Sequence, residues 1–499
     1  MAPTVLVGGT VVTVDADRRV LDPGAVAVGV DESHSDSSAN RTQSDDADTI
    51  VAVGPRDELL ADYPDAERMD LSEHVLLPGL VDSHGHAGHG LTKNLLEGGG
   101  NDWLDIVKEI YFEGSGTAFW RAEGRLAALE RLRAGVTTSL SYVGSMPRVD
   151  DPKFADAAVT GYREFGLRHV VGVGPPDSLP AHCVDPDSGT ETTVDLDHAM
   201  ATTEAVVEEL HGSADGRIQV AVAPSSLVPE MDADGSATAA SVAQLRKVTE
   251  LAGREDLALH AHAYEGEVAA AAAAKPEVLT ERLSLAHCAG ISAEEVALMA
   301  ENDVAASHGP LTNAYVRNRF PVVEAMKQGV TVAVSTDGSA PDRSFDLLSQ
   351  GRIAAQLQRA HHGDTSLLPA GRVLEAMTVD AAAALGLADK VGSLTPGKRA
   401  DVVAVDRRSA KLGPALDSGL TVPRMVGYAD GSDVSFVMVD GAVRLRDSEV
   451  VAPEAPPLET VLDDANEAAR TAIERVDGAD ALEPHPDLWG AVRYGGETE

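Results

Sequence analysis

The chain has 499 residues, which allows two or three domains, and its 80 acidic and 40 basic residues give a formal charge of −40. Nucleic acid and anionic membranes are therefore poor partners, and an aromatic content of 4% argues against base-stacking platforms. Only 9 of the bases are lysine, a bias that resembles proteins of salt-adapted halophiles, with an ordinary acidic enzyme as the alternative. Two cysteines and the lack of an apolar stretch of 18 residues predict a cytoplasmic protein without a membrane span.

The first 76 residues have the pattern of short strands interrupted by a polar insertion. TVLVGGTVVTVD and IVAVGP carry the β-branched residues typical of strands. Between them, residues 31–50 hold six acids and one arginine among serine and asparagine, which indicates a solvated insertion at a hairpin tip. We therefore predict that residues 1–76 form the first part of a small β-sandwich domain.

From residue 77 to 390, short apolar runs alternate with longer segments of helical pattern. The eight runs are LLPGLVDSH, GVTTSLSYV, LRHVVGVG, IQVAVAPS, LALHAHAYE, LSLAHCAG, DVAASHGP and VTVAVSTDG. Strands that alternate with helices predict parallel βα units, and eight units are what a (β/α)8 TIM barrel requires. The predicted fold class is therefore α/β, a TIM barrel with a β-sandwich domain, and a doubly wound open sheet is the alternative.

Strand character returns after the barrel. GSLTPGKRADVVAVD and VSFVMVDGAVRLR predict the second part of the sandwich at residues 391–448, joined in space to residues 1–76. Residues 449–499 are predicted to contain an amphipathic helix, VLDDANEAARTAIERV, and an acidic tail. Much of the negative charge therefore lies outside the barrel.

Histidines and one aspartate stand at the carboxyl ends of several barrel runs, where a TIM barrel places its active site. His84 and His86 are two residues apart, so their side chains face the same side of a strand. The later runs end with His260, His262, His287, His308 and Asp337. Imidazoles and a carboxylate from separate strands predict a divalent-cation site, most naturally for zinc.

A carboxyl group follows this histidine cluster. A bound cation of this kind lowers the pKa of water towards about 7, and proton transfer then needs acids and bases nearby. Glu265 comes three residues after His262 and is placed to deliver a proton. The alternative is that Glu265 is a helix N-terminal residue that the helix dipole favours.

These motifs resemble the amidohydrolase superfamily, in the branch of cytosine-, guanine- and adenosylhomocysteine-type deaminases and triazine hydrolases. PGLVDSHGH, HAHAYE, LSLAHC, STDGSAP and GSLTPGKRADVVAVD match five family motifs in order, over nearly the whole chain. The resemblance implies one metal ion, zinc or alternatively iron, with the ligands His84, His86, His262 and Asp337. His260 is then expected to support the ligands. The third and fourth runs lack the lysine that bridges two ions in binuclear relatives, which favours a mononuclear site.

The resemblance also implies catalytic roles and a reaction. Asp337 takes a proton from the attacking water, Glu265 carries a proton to the substrate, and His287 orients the attack. We expect a hydrolase of a C–N bond in a small nitrogen heterocycle, most naturally a deaminase. The alternatives are a chlorohydrolase or cyclic amidohydrolase on the same site, a binuclear amidohydrolase, and a non-catalytic scaffold. The expected partner is a small molecule, and a homo-oligomer is compatible with the sequence.

Departures from the family pattern concern the substrate. Ser225 and Ser226 follow Pro224 where adenosine-type deaminases often carry a histidine, and HGPLTN replaces the frequent NPxSN after the seventh run. Both departures argue against an adenosine-type substrate. The candidate substrate-binding residues are His89, Trp103 and Asn313, each equally compatible with a structural role.

The two cysteines offer an alternative nucleophile, which the pattern disfavours. Cys288 adjoins His287, but neighbours on a strand point to opposite faces. We therefore predict that Cys288 packs in the core and takes no part in catalysis.

Overall fold

The computed structural model describes residues 3–29, 49–96, 101–316, 318–414 and 417–483. The predicted insertion at 31–50 lies outside the described residues except for its last two, and the end of the acidic tail lies outside them as well. Within the described ranges, no helix is long and apolar enough to cross a membrane.

The strands, in chain order, are β1 (Thr4–Val12), β2 (Val20–Leu21), β3 (Gly24–Gly29), β4 (Thr49–Pro55), β5 (Glu67–Pro78), β6 (Leu80–Asp82), β7 (Val136–Tyr142), β8 (Arg168–Val173), β9 (Ala181–Asp185), β10 (Thr190–Val194), β11 (Ile218–Val222), β12 (Leu259–Tyr264), β13 (Leu283–Ala289), β14 (Ala305–His308), β15 (Val332–Val334), β16 (Val402–Asp406), β17 (Val434–Val439), β18 (Ala442–Arg446) and β19 (Glu449–Val450).

The α-helices, in the same order, are α1 (Arg56–Asp62), α2 (Asn101–Glu109), α3 (Thr117–Arg133), α4 (Lys153–Phe165), α5 (Leu196–Leu210), α6 (Ala239–Arg254), α7 (Glu267–Ala274), α8 (Ala293–Glu301), α9 (Pro310–Val316), α10 (Val322–Lys327), α11 (Leu347–His362), α12 (Ala370–Ala376), α13 (Val379–Ala384), α14 (Thr421–Tyr428) and α15 (Leu458–Arg475). Shorter 3-10 turns include His89–Leu91, and a π-helical turn spans Ile110–Gly114.

Eight parallel strands form the central sheet, and each falls within one of the eight predicted runs. Their spatial order is β6, β7, β8, β11, β12, β13, β14 and β15, which is the order along the chain. A doubly wound sheet would reverse this order at one point. At the carboxyl ends of the last and first strands, the Asp337 amide donates to the His84 carbonyl at 3.1 Å, so the sheet curls into a nearly closed barrel. The prediction of a TIM barrel is confirmed.

The barrel is filled by small and branched side chains. β7, β8 and β13 are buried along their whole length, as expected for parallel strands covered on both faces. Val81, Leu140 and Val170 pack in one cluster with Ala381 of α13. The carboxyl end of the barrel carries the cavity described below.

A nine-stranded sheet from both flanks of the barrel forms the expected β domain. Its order is β19, β18, β17, β16, β5, β1, β3 and β4, with β2 paired to β1. β16 runs antiparallel to β5, so the two flanks meet in one sheet. Leu6, Val26, Val402 and Phe436 share its core. The boundaries at residues 76, 390 and 448 stay predictions.

Candidate active site

Four predicted ligands lie together at the carboxyl mouth of the barrel. The Nε2 atoms of His84 and His86 lie 3.4 and 3.2 Å from Asp337 Oδ1, and His262 Nε2 lies 3.3 Å from His86 Nε2. All four side chains are buried. The first, fifth and eighth barrel strands supply them, so the closed sheet itself brings distant parts of the chain to one point.

Backbone carbonyls fix the orientation of two of these imidazoles. His86 Nδ1 donates to the Gly144 carbonyl at 3.0 Å, and His262 Nδ1 donates to the Ser225 carbonyl at 2.5 Å. A carbonyl only accepts, so each Nδ1 carries the proton and each Nε2 presents a lone pair. Burial lowers the pKa of His262 well below its ordinary value, which keeps the ring neutral. The two Nε2 lone pairs therefore face each other across 3.3 Å with no proton between them.

A chain of hydrogen bonds through His260 and Ser284 orients His84. Its Nδ1 lies 2.9 Å from His260 Nε2, and His260 Nδ1 lies 2.6 Å from Ser284 Oγ. Within the described part of the chain, the buried Nε2 of His84 has no hydrogen-bond partner, although buried polar atoms are rarely left without one. His260 thus holds a ligand in place, as the resemblance implies.

Asp337 supplies the negative charge of the cluster. Its Oδ1 accepts from the Gly338 amide at 2.7 Å, and its Oδ2 accepts from Thr312 Oγ1 at 2.6 Å. Although burial opposes ionisation, the charge of Arg343 at 3.5 Å and the imidazoles hold the pKa of Asp337 well below its ordinary value. Three nitrogen lone pairs and one carboxylate oxygen are a donor set that fits a divalent metal ion such as zinc.

A buried ion pair behind the ligands was not anticipated from the sequence. Asp82 accepts from the Thr336 amide at 2.9 Å and from its hydroxyl at 2.6 Å. The Arg131 guanidinium lies 3.3 Å from Asp82 and stacks over Phe345 at 3.7 Å. Because Asp82 and Thr336 precede ligands on the first and last strands, this network holds those strands in register.

His287 also reaches the mouth. Its Nε2 lies 4.0 Å from Asp337 Oδ2, and its ring centre is 5.3 Å from that of His262. The backbone at His287 is left-handed, with φ of 63°, where β13 departs from regular strand geometry. This turn aims the side chain into the cavity next to the ligands.

Glu265 is the predicted catalytic residue that the structure does not bring to the cavity. His262 and Tyr264 are two residues apart on β12 and line the cavity, whereas Glu265, which follows the strand, is exposed and absent from the lining. Glu267, two residues later, is buried at the start of α7 and lines the cavity. Its Oε2 accepts from the Val228 amide at 3.1 Å, and burial raises its pKa to about 8.

The three candidate substrate-binding residues divide into two groups. His89 and Trp103 line the cavity, and the His89 ring stacks on His86 at 5.0 Å. Asn313 does not line it: its amide donates to the carbonyls of His287 and Asn318, each at 3.1 Å. Asn313 therefore supports the backbone that carries His287.

The cavity has a volume of about 730 Å³, enough for a small heterocycle. Its lining also includes Ser225 and Ser226, which the sequence connected with the substrate, and Asp177 and Arg343, which it did not indicate. Cys288 is absent from the lining and fully buried, as expected for a packing residue.

Comparison with known proteins places this geometry in a family. The model of the amidohydrolase family matches residues 75–444. A 5-methylthioadenosine/S-adenosylhomocysteine deaminase of Moorella thermoacetica is 30% identical over 435 residues, which cover 82% of this chain and 90% of the relative. An S-triazine hydrolase of Gordonia rubripertincta is 32% identical over 295 residues, 57% of this chain and 59% of its own length.

Among solved structures, an adenosine deaminase from Xanthomonas campestris with bound zinc has a TM-score of 0.76 and 24% identity, and the match covers 95% of this chain and 98% of that one. The expectation of a metal-dependent hydrolase of C–N bonds is confirmed at the level of the family. The chain belongs to the amidohydrolase family.

Proposed function

We propose that the protein is a mononuclear aminohydrolase that releases ammonia from a small nitrogen heterocycle. The observation that carries the proposal is the convergence of buried metal-ligating side chains at the barrel mouth, where His84, His86 and His262 form one group and His84, His287 and Asp337 form another. His84, His86, His262 and Asp337 would hold the ion. Zinc or iron would act there as a Lewis acid that lowers the pKa of water.

Asp337 and His287 would manage the attack on the substrate. Asp337 is an ionised carboxylate whose Oδ2 faces His287 at 4.0 Å, so it is placed to accept a proton from the attacking water. His287 would orient the attack by a hydrogen bond. His89 and Trp103 would contact the ring of the substrate with their own aromatic rings. The two rings pack edge to face, with centres 5.1 Å apart.

Delivery of the proton to the leaving group is assigned to Glu265 on the strength of its motif, with Glu267 as the alternative because it lines the cavity. The variants Glu265→Gln and Glu267→Gln separate them. Loss of kcat with normal metal content in one variant, and retained kcat in the other, identifies the proton carrier.

An ammonia-release screen tests the proposed reaction. The protein, loaded with zinc or iron and kept in high salt, is offered purines, pyrimidines, triazines and guanidino compounds. We expect ammonia from at least one class, lost in Asp337→Asn. Chloride released from a chlorotriazine without ammonia would instead support a chlorohydrolase.

Location, salt adaptation and metal identity are proposed from composition and from the donor set. Both cysteines are buried and unpaired, which is compatible with a reducing cytoplasm. The charge of −40 supports an enzyme that stays soluble in concentrated salt. Zinc is favoured over iron by the donor set, and a homo-oligomer stays a prediction.

A further inference from the structure

One side of the cavity carries two acidic side chains and two serines. This acidic wall consists of Asp177, Ser225, Ser226 and Glu267, all of which line the cavity that His86, His262 and Asp337 also line. Asp177 lies in the loop after β8, and the two serines follow β11. The wall therefore combines loops that follow the third, fourth and fifth barrel strands.

The Asp177 carboxylate is held firmly by the serine segment. It accepts from the Ser226 amide at 2.9 Å, from the Ser226 hydroxyl at 2.9 Å and from the Ser225 hydroxyl at 3.2 Å. The Ser225 carbonyl in turn accepts both the Nδ1 proton and the backbone amide of His262, at 2.5 and 3.1 Å. Asp177 thus stands in a fixed position relative to a metal ligand.

The charge of Asp177 has no cationic partner among the described residues. None of the described lysines or arginines forms an ion pair with it. Arg343, the cation that lines the cavity, is occupied by the Gly338 and Ala340 carbonyls and by Asp337. Burial raises the pKa of Asp177, and an N–H donor from the cavity would favour its ionised form. A carboxylate has about four lone-pair sites, and the three donors leave acceptor capacity for such a group.

Both serine hydroxyls donate their hydrogen atoms to Asp177. Asp177 and the two serine side chains therefore offer hydrogen-bond acceptors to the cavity and no donor. A substrate edge that carries only ring-nitrogen acceptors would have no hydrogen-bond donor to pair with there. An edge with adjacent N–H and NH2 groups would donate to the Asp177 carboxylate. We propose that Asp177 recognises an amidine- or guanidine-like N–H donor edge of the substrate heterocycle. This inference rests on the proposed function, because it assumes that the cavity binds the substrate.

Binding experiments test the inference without turnover. Zinc-loaded protein is titrated calorimetrically at mildly acidic pH with 2,4-diaminopyrimidine, whose protonated ring N1–H and 2-amino group form such an edge, and with pyrimidine, which has no N–H group. We expect tighter binding of the diamino compound and a loss of about tenfold in Asp177→Asn. The matched control is Asp342→Asn, an exposed acid that lines the same cavity, for which we expect little change.

Two results would overturn the inference: equal affinity of the wild-type protein for both compounds, or equal losses in Asp177→Asn and Asp342→Asn. If Asp177→Asn loses its zinc, Asp177→Glu keeps the charge but displaces it, and unchanged selectivity in that variant would also overturn the inference. For any substrate found in the ammonia screen, Asp177→Asn should raise KM with little change in kcat. If no substrate releases ammonia but the selective binding is found, the proposed function fails and the inference stands.

Discussion

Two walls of one cavity are built in different ways. The metal-facing wall comes from strand ends: His86, His262 and Asp337 line the cavity, His84 lies 3.4 Å from Asp337, and all four side chains are buried. The acidic wall comes from loops, and its Asp177 is exposed to the cavity. On the proposed function, the strand ends would supply the chemistry and the loops would select the substrate.

Removal of a metal-facing side chain should have the largest effect. In His262→Ala and Asp337→Asn we expect turnover to fall by at least about a thousandfold, together with loss of bound metal, because the donor set is broken. Metal content by elemental analysis and initial rates measure this. His182→Ala, an exposed histidine on β9, is the control and should change neither. Full activity in a metal-free His262→Ala protein would remove this residue from the site.

Loss of the buried Asp82–Arg131 ion pair behind the metal-facing wall should lower the free energy of unfolding. Asp82→Asn leaves the Arg131 guanidinium buried without its counter-charge, and loss of one partner of a buried pair costs about 3–5 kcal/mol. Urea unfolding measures the free energy. Asp256→Asn breaks an ion pair with Arg282 in which both side chains are exposed, so it should have little effect. Similar losses in both variants would contradict a special role for the buried pair.

Glu267 in the acidic wall should make stability depend on pH. Burial raises its pKa to about 8, so the folded protein keeps this proton at pH values where the unfolded chain has lost it. Its contribution is most favourable below the ordinary carboxyl pKa and declines as pH rises towards 8.

Glu267→Gln keeps an acceptor for the Val228 amide and cannot ionise. Its Tm should therefore match that of the wild type near pH 5 and exceed it by a few degrees near pH 9. Glu265→Gln removes the same charge from an exposed position and serves as the control. A Tm difference that is constant across pH would show that ionisation of Glu267 does not oppose folding.

The metal-facing wall was predictable because two simple rules determine it. Side chains alternate along a strand, and the active site of a barrel lies at the carboxyl ends of its strands. Those rules predicted that the ends of the strands meet, and the structure brings His84, His86, His262 and Asp337 together; their role as ligands came from the resemblance and stays a prediction. Glu265 lies outside these rules because it follows the last residue of β12; its side chain is exposed and does not line the cavity, and its catalytic role stays a prediction.

These two rules could not predict how the residues of the acidic wall come together. Asp177 lies in a proline-containing loop, and nothing in the local sequence indicates that it binds Ser225 and Ser226, almost fifty residues away. The Asp82–Arg131 pair joins a strand to a helix in the same non-local way. Such contacts follow from how the βα units pack around the barrel, and packing of this kind has no short-range signature.

Changes at the cysteines should have the smallest effect on activity. The reactivity of the thiols shows whether a cysteine could act as a nucleophile beside the metal-facing wall. Cys288 follows His287, but its Sγ lies 3.4 Å from the Leu285 carbonyl and is buried; this burial raises its pKa. Burial also raises the pKa of Cys183, to about 12. Because thiolates are the reactive form, neither thiol should react with a disulfide reagent in the folded protein, and both should react after unfolding.

Cys288→Ala should accordingly retain its metal and most of its turnover, with a modest loss of stability from the small cavity that it leaves. Rapid labelling of Cys288 in the folded protein, with parallel loss of activity, would mean that the thiol reaches the cavity. The attacking group would then have to be sought in that side chain as well as in water, and the division between a catalytic wall made of imidazoles and a selective wall made of acceptors would no longer hold.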